Sequence, residues 1–148
     1  MTVETEDKLA SARQQARAQF ESIKEMVEAL RRCDDVDVDL GEREMAGQTI
    51  HEDALSVEVR GDWHIPGDME AGMVAGKPAE YKILLCTGGP AVQIVGKLSE
   101  HCEPETAELQ CQDWFTPWTY VRLGETGEQV HEAEQVLLTY ARCFYYGE

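Results

Sequence analysis

Apolar positions along the chain change period twice. Over residues 6–32, Leu9, Ala16, Ile23 and Leu30 stand seven apart, Phe20 and Val27 fill the intermediate places, and Arg13 breaks that second series. The segment has no Gly or Pro and is rich in Ala, Gln, Glu, Arg and Lys, so it predicts one long helix. A seam of period 3.5 suits either a helix laid along a sheet or a coiled coil. The second possibility would be a homodimer through Leu9, Ala16, Phe20, Ile23, Val27 and Leu30.

From residue 54 the period becomes two. Leu55, Val57 and Val59 alternate with Ser56, Glu58 and Arg60, and Glu80–Cys86 is a more continuously apolar strand. Thr87-Gly88-Gly89-Pro90 has turn chemistry and leads into the strand Ala91–Leu98, which predicts a hairpin. Ala107, Leu109 and Cys111 alternate again after the polar break Ser99–Thr106. Residues 67–79, rich in Gly, read as a mobile loop. Helical spacing returns at Val130, Ala133, Leu137, Ala141 and Phe144, with Gly147 as the stop, which predicts a helix over 125–146. The order predicts a single α+β domain over 1–148: a long N-terminal helix, a four-stranded antiparallel meander over 54–120 and a C-terminal helix, the two helices covering one face of the sheet.

Residues 33–53 fit neither period. They hold eight carboxylates against Arg43 and read as an acidic loop. The alternation from Asp35 to Leu40 could form a strand edge, but like charges side by side on one face repel. The D-x-D-x-D opening resembles a calcium loop; counted from Asp35, though, the sixth and twelfth positions are Leu40 and Ala46 where Gly and Glu are needed.

Charge sharpens this picture. The net charge is −16, and residues 1–32 are neutral, so the whole excess lies in 33–148. Such a field repels phosphate backbones and anionic membranes and draws in basic protein surfaces. Direct nucleic-acid and membrane binding are therefore not expected. Solubility alone is the plainer purpose that the acidity could serve. The five cysteines form no C-x-x-C, the N-terminus has no apolar core of a signal peptide, and no run is long enough to span a membrane, which predicts reduced thiols and a cytoplasmic protein.

Catalytic patterns are not visible. His51, His64, His101 and His131 lie in no metal or triad motif, and no Ser stands in a G-x-S-x-G elbow. Gly88-Gly89 is followed by Pro90, which lacks the amide a phosphate cradle requires. The spacing of Cys86, His101, Cys102 and Cys111 matches no zinc module. The reading is of a protein without catalysis, cofactor or metal. One segment exceeds what a connection needs: Trp114, Phe115, Trp118 and Tyr120 cluster around Pro117. They could plug the core, or anchor a partner as Trp and Tyr do at interface centres.

The stretches ALSVEVRGDWHIPG, EYKILLCTGGPAVQIVG, AELQCQDWFTPWTYV and LLTYARCFYYGE together resemble a family of small acidic proteins carried by bacterial phages, plasmids and integrated elements. The likeness covers residues 54–148. It implies an inhibitor of a host nucleic-acid-targeting defence complex, of the anti-CRISPR kind, acting in the bacterial cytoplasm. Asp34, Asp35, Asp37, Asp39, Glu42 and Glu44 would engage Lys and Arg of a nucleic-acid-binding partner, and Trp114, Phe115, Trp118 and Tyr120 would anchor the contact. The alternative is a dimeric accessory or regulatory protein of a mobile element.

Overall fold

The computed structural model describes residues 3–33, 40–61, 66–67, 78–87, 90–113 and 116–146, with side chains from residue 9 onward, residue 40 excepted. Helix α1 spans Val3–Arg32 and α2 spans Leu40–Asp53. Strands β1 (Ser56–Arg60), β2 (Glu80–Cys86), β3 (Pro90–Lys97), β4 (Glu108–Asp113) and β5 (Thr119–Tyr120) follow, and α3 spans Gly127–Ala141. The strands pair in chain order, all antiparallel, as a meander. The meander has five strands where four were expected. The fifth is two residues long, below what alternation can signal.

Helix α1 lies over β3 and β4, and α2 and α3 rest against α1. Its seam is what the core is built on. Ala16, Ile23 and Val27 are fully buried, Phe20 nearly so, and Leu9 and Leu30 pack against the same cluster. They meet the sheet face carrying Ile83, Ile94 and Leu109, which stand in one cross-strand row, with Val92 and Cys111 in the next. Each such side chain contributes about 1.5–3 kcal/mol on burial. A dimer through this seam would have to withdraw it from the chain's own core.

The β2–β3 hairpin carries a bulge between Leu84 and Cys86. The extra residue lets Leu85 join the core while Cys86 reaches Gln15 of α1, so one strand serves two points of the helix layer. At the other end of the hairpin, Gly96 faces Tyr81. The Tyr81 hydroxyl donates to the Thr106 carbonyl oxygen at 2.7 Å. A Cβ at Gly96 would lie 1.9 Å from that same oxygen. The site demands glycine because backbone, not a flexible side chain, fills the space.

Residues 40–53 correct the sequence reading of 33–53 as a loop: all fourteen are helical. Gly41, Gly47 and scattered charges hide this helix, because Gly costs about 1 kcal/mol in a helix interior. What holds it is tertiary. Ile50 is fully buried, and the Tyr140 hydroxyl of α3 donates to the Asp53 carboxylate at 2.8 Å. Gln48 adds a bond to Glu52 one turn on. Residues 34–39, including the Asp35–Asp39 alternation, lie outside the described residues, as do residues 68–77 of the predicted loop and Gly88-Gly89 of the hairpin turn.

The last helix is also shorter than predicted. It starts with a capping box in which the Thr126 hydroxyl accepts from the Gln129 amide at 3.1 Å and the Gln129 side chain accepts from the Thr126 amide. It stops at Ala141, not Tyr146. Beyond it the chain turns back, the Tyr146 hydroxyl donates to the Ala141 carbonyl, and the Tyr146 ring lies 5.1 Å from that of Tyr81. Phe144 fits between Tyr140, at 5.4 Å, and His51 of α2, at 5.3 Å. Tyr146 and Phe144 of the tail thus close the core, while Tyr145 stands exposed.

Gly96→Ala is expected to destabilise the fold by about 2–3 kcal/mol in urea unfolding, since backbone must shift to admit the methyl group. Thr126→Ala should cost about 1 kcal/mol and Thr126→Ser much less, because only the cap bond changes.

The buried phenols supply a pH test. Burial raises the ionisation of Tyr81, Tyr140 and Tyr146 far above the ordinary tyrosine value, and Asp53 adds to the effect at Tyr140. In the unfolded chain each ionises near pH 10. A group whose native pKa is raised stabilises fully below the unfolded pKa and loses that contribution as pH climbs. The urea midpoint should therefore fall steeply above about pH 10, and Tyr140→Phe or Tyr146→Phe should each flatten that fall by about one proton.

Candidate partner-binding surface

The sheet has two unlike faces because its side chains alternate. One face is covered by the helices. The other carries Glu58, Lys82, Val95 and Glu108 in one cross-strand row, and Leu84, Gln93, Gln110 and Tyr120 in the next. This open face is laced by polar contacts. Lys82 pairs with Glu58 at 3.8 Å, and Arg60 pairs with Glu80. The bond and charge of Glu80 hold the Arg60 guanidinium protonated above its already high usual value. Gln93 Nε2 donates to Gln110 Oε1 at 2.8 Å, and Gln110 Nε2 donates onward to Glu108 Oε2 at 2.8 Å.

A groove of about 590 Å³ lies at the end that β1 to β4 share, lined by open-face residues such as Lys82, Gln93 and Val95 and by Tyr81, Gly96 and Ala107 of the other face. Gln93 and Val95 form part of its wall, and Glu108 with Glu134 of α3 borders it on the β4 side. Glu108 and Glu134 also border an adjoining cavity of about 220 Å³ under α3.

The residues singled out in the sequence do not form one patch. Glu42 and Glu44 are exposed on the first turns of α2, in the helical layer. Tyr120 is 47% exposed on β5 and belongs to the open face, with Trp118 half-buried just before it. The sheet stands between the two sets. Asp34, Asp35, Asp37, Asp39, Trp114 and Phe115 lie outside the described residues. What anchors the aromatic segment is Thr116, buried, whose hydroxyl accepts from the Asp113 amide at 2.9 Å, and Val121, buried beneath β4. The seam residues proposed for a dimer are in the core, as described above.

A second acidic display was missed in the sequence. The turn from Ser99 to Glu105 presents Glu100, Glu103 and Glu105 to solvent. Its backbone is held by Ser99, whose hydroxyl accepts from the His101 and Glu103 amides, by the bridge between Leu98 and Pro104, and by Arg142 donating to the Pro104 carbonyl. Cys102 is buried at its apex with φ of 60°, a left-handed conformation for which a non-glycine residue needs tertiary support. Polar composition reads as a plain break; only the packing of Cys102 and Pro104 shows that the carboxylates stand on ordered backbone.

Thiols offer little chemistry here. Burial pushes Cys86, Cys111 and Cys143 up from the ordinary thiol value, even though Arg13 and Arg17 pull Cys111 the other way. Among the described residues no three of His, Cys, Asp and Glu gather as metal ligands, and no helix is long and apolar enough to cross a membrane. Comparison with known proteins adds no further guide: no family profile, no curated protein and no solved structure matches this chain.

Proposed function

We propose that this chain is a binding protein without turnover that engages a basic surface of another protein through its exposed carboxylates. The observation that carries the reading is where the charge sits. Part of the chain's negative excess is displayed outward on ordered backbone, at Glu42 and Glu44 of α2 and at Glu100, Glu103 and Glu105 of the 99–105 turn. On a nucleic-acid-binding partner, such carboxylates would occupy positions that phosphates otherwise fill. Inhibition of a nucleic-acid-targeting defence complex, of the anti-CRISPR kind, is the specific role proposed within that class, and it rests on the resemblance of residues 54–148. Tyr120, on the open face, and the half-buried Trp118 just before it would supply apolar contact to a partner segment.

The test is affinity capture by the tagged chain from a bacterial lysate containing a defence system, at low and high salt, with duplex DNA as competitor. The expected result is a nucleic-acid-binding protein retained near 0.1 M salt, displaced by DNA, and released toward 1 M as screening shortens from about 10 to 3 Å. Reversing Glu42, Glu44, Glu103 and Glu105 to Lys should weaken its retention by at least about tenfold. Retention that survives both salt and charge reversal would overturn the electrostatic mechanism.

A further inference from the structure

We propose that β1 is the edge through which two copies of this chain join, antiparallel and two-fold related about Val59, so that their sheets run on as one. The inference goes beyond the acidic-surface reading and does not depend on it.

The two edges of the sheet are built differently. At one end β5 is two residues long and follows Pro117, and short strands and proline are means by which sheets avoid pairing with other chains. At the other end β1 pairs with β2 without a break from Ser56 to Arg60. The Leu55 amide donates to the Leu84 carbonyl just before it, and the Ala79 amide donates to the Arg60 carbonyl at its end. The strand holds no Pro, and among the described residues no strand pairs with its outer side. Val57 and Val59 lie across from the buried Ile83 and Tyr81, on the face that the helices cover further in. Yet Val59 is 43% exposed and Leu55, which alternates with them, 58%. The apolar rows of the core thus run out to an edge that leaves them in solvent.

Charge selects the occupant. Glu58 and Arg60 stand on the open face, where they pair with Lys82 and Glu80. These four charges sum to zero in a chain of net charge −16, so this stretch adds nothing to the repulsion between two such chains. A two-fold pairing of identical antiparallel strands is set by the residue at its centre. Centred on Glu58 or Arg60, it would set that charge against its own copy, and like charges directly opposite destabilise. Centred on Val57, it would bring Leu55 to Val59 but set Glu58 against Ser56 and Arg60 against Ala54, without attraction between charges. Centred on Val59, it sets Val59 against Val59 and, on both sides of the axis, Glu58 against Arg60. Two rows of alternating sign, Glu80, Arg60, Glu58 and Lys82, would then cross from one copy into the other. Exposed pairs add little stability singly, but complementary charges fix register, while main-chain bonds along the edge supply affinity.

Sedimentation velocity of the full chain across the micromolar range tests this, at about 0.15 M salt, where screening beyond about 8 Å removes most of the repulsion between the two acidic bodies. A monomer–dimer equilibrium is expected. Val59→Lys should weaken it by at least about tenfold, as charge on an edge strand opposes pairing. Arg60→Glu should also weaken it by about tenfold, since it sets a carboxylate against Glu58 of the second copy. Both positions are exposed, and thermal unfolding confirms that both variants fold. On mild oxidation Val59→Cys should give a cross-linked dimer above the baseline of the unsubstituted chain, and Val57→Cys should not, because only the central residue meets its own copy. A chain that stays monomeric throughout, a dimer that both Val59→Lys and Arg60→Glu leave intact, or cross-linking through Val57→Cys in place of Val59→Cys would overturn the proposal.

Discussion

Everything in this fold hangs on one contact: the apolar seam of α1 pressed along β3 and β4. Ile23 and Val27 from the helix, and Val92, Ile94, Leu109 and Cys111 from the sheet, are all but fully buried. Once that seam is spent on the sheet, the rest of the helix surface becomes scaffold. Helix α2 and helix α3 dock against it, and the aromatic tail closes the gap between them over Tyr81. Because all three helices gather on one side, the opposite sheet face stays polar and uncovered by helix. The open face is thus a by-product of how the core is made.

Charge then sorts itself on this scaffold. Burying any of the excess carboxylates would cost more than the small domain can supply, so they stand on helix ends, turns and strand faces. Where two opposite charges meet across neighbouring strands they pair, as Lys82 does with Glu58 and Arg60 with Glu80. Exposed pairs of this kind add little stability. Asp53, half-buried, accepts from the Tyr140 hydroxyl and so ties α2 to α3.

The acidity of the chain gains detail from the fold, which shows on which elements the described carboxylates stand and which of them already have partners.

Periodicity by itself determined α1, the β2–β3 hairpin, the antiparallel order and the position of α3, because in each a long apolar repeat matches the period of the element that buries it. Composition determined the net charge of −16. Tertiary structure decided the rest. Helix α2 exists because Ile50 and Asp53 find α1 and Tyr140, contacts no local pattern announces. The tail after Ala141 leaves helical geometry, and there Tyr146 meets Tyr81 while Phe144 meets Tyr140 and His51. The seam of α1 could have served a dimer or a sheet, and only the sheet's presence on the same chain settles which, since an apolar stripe records that it is buried and not against what. The groove was invisible for the same reason: its lining comes from four strands and α3, which only folding brings together.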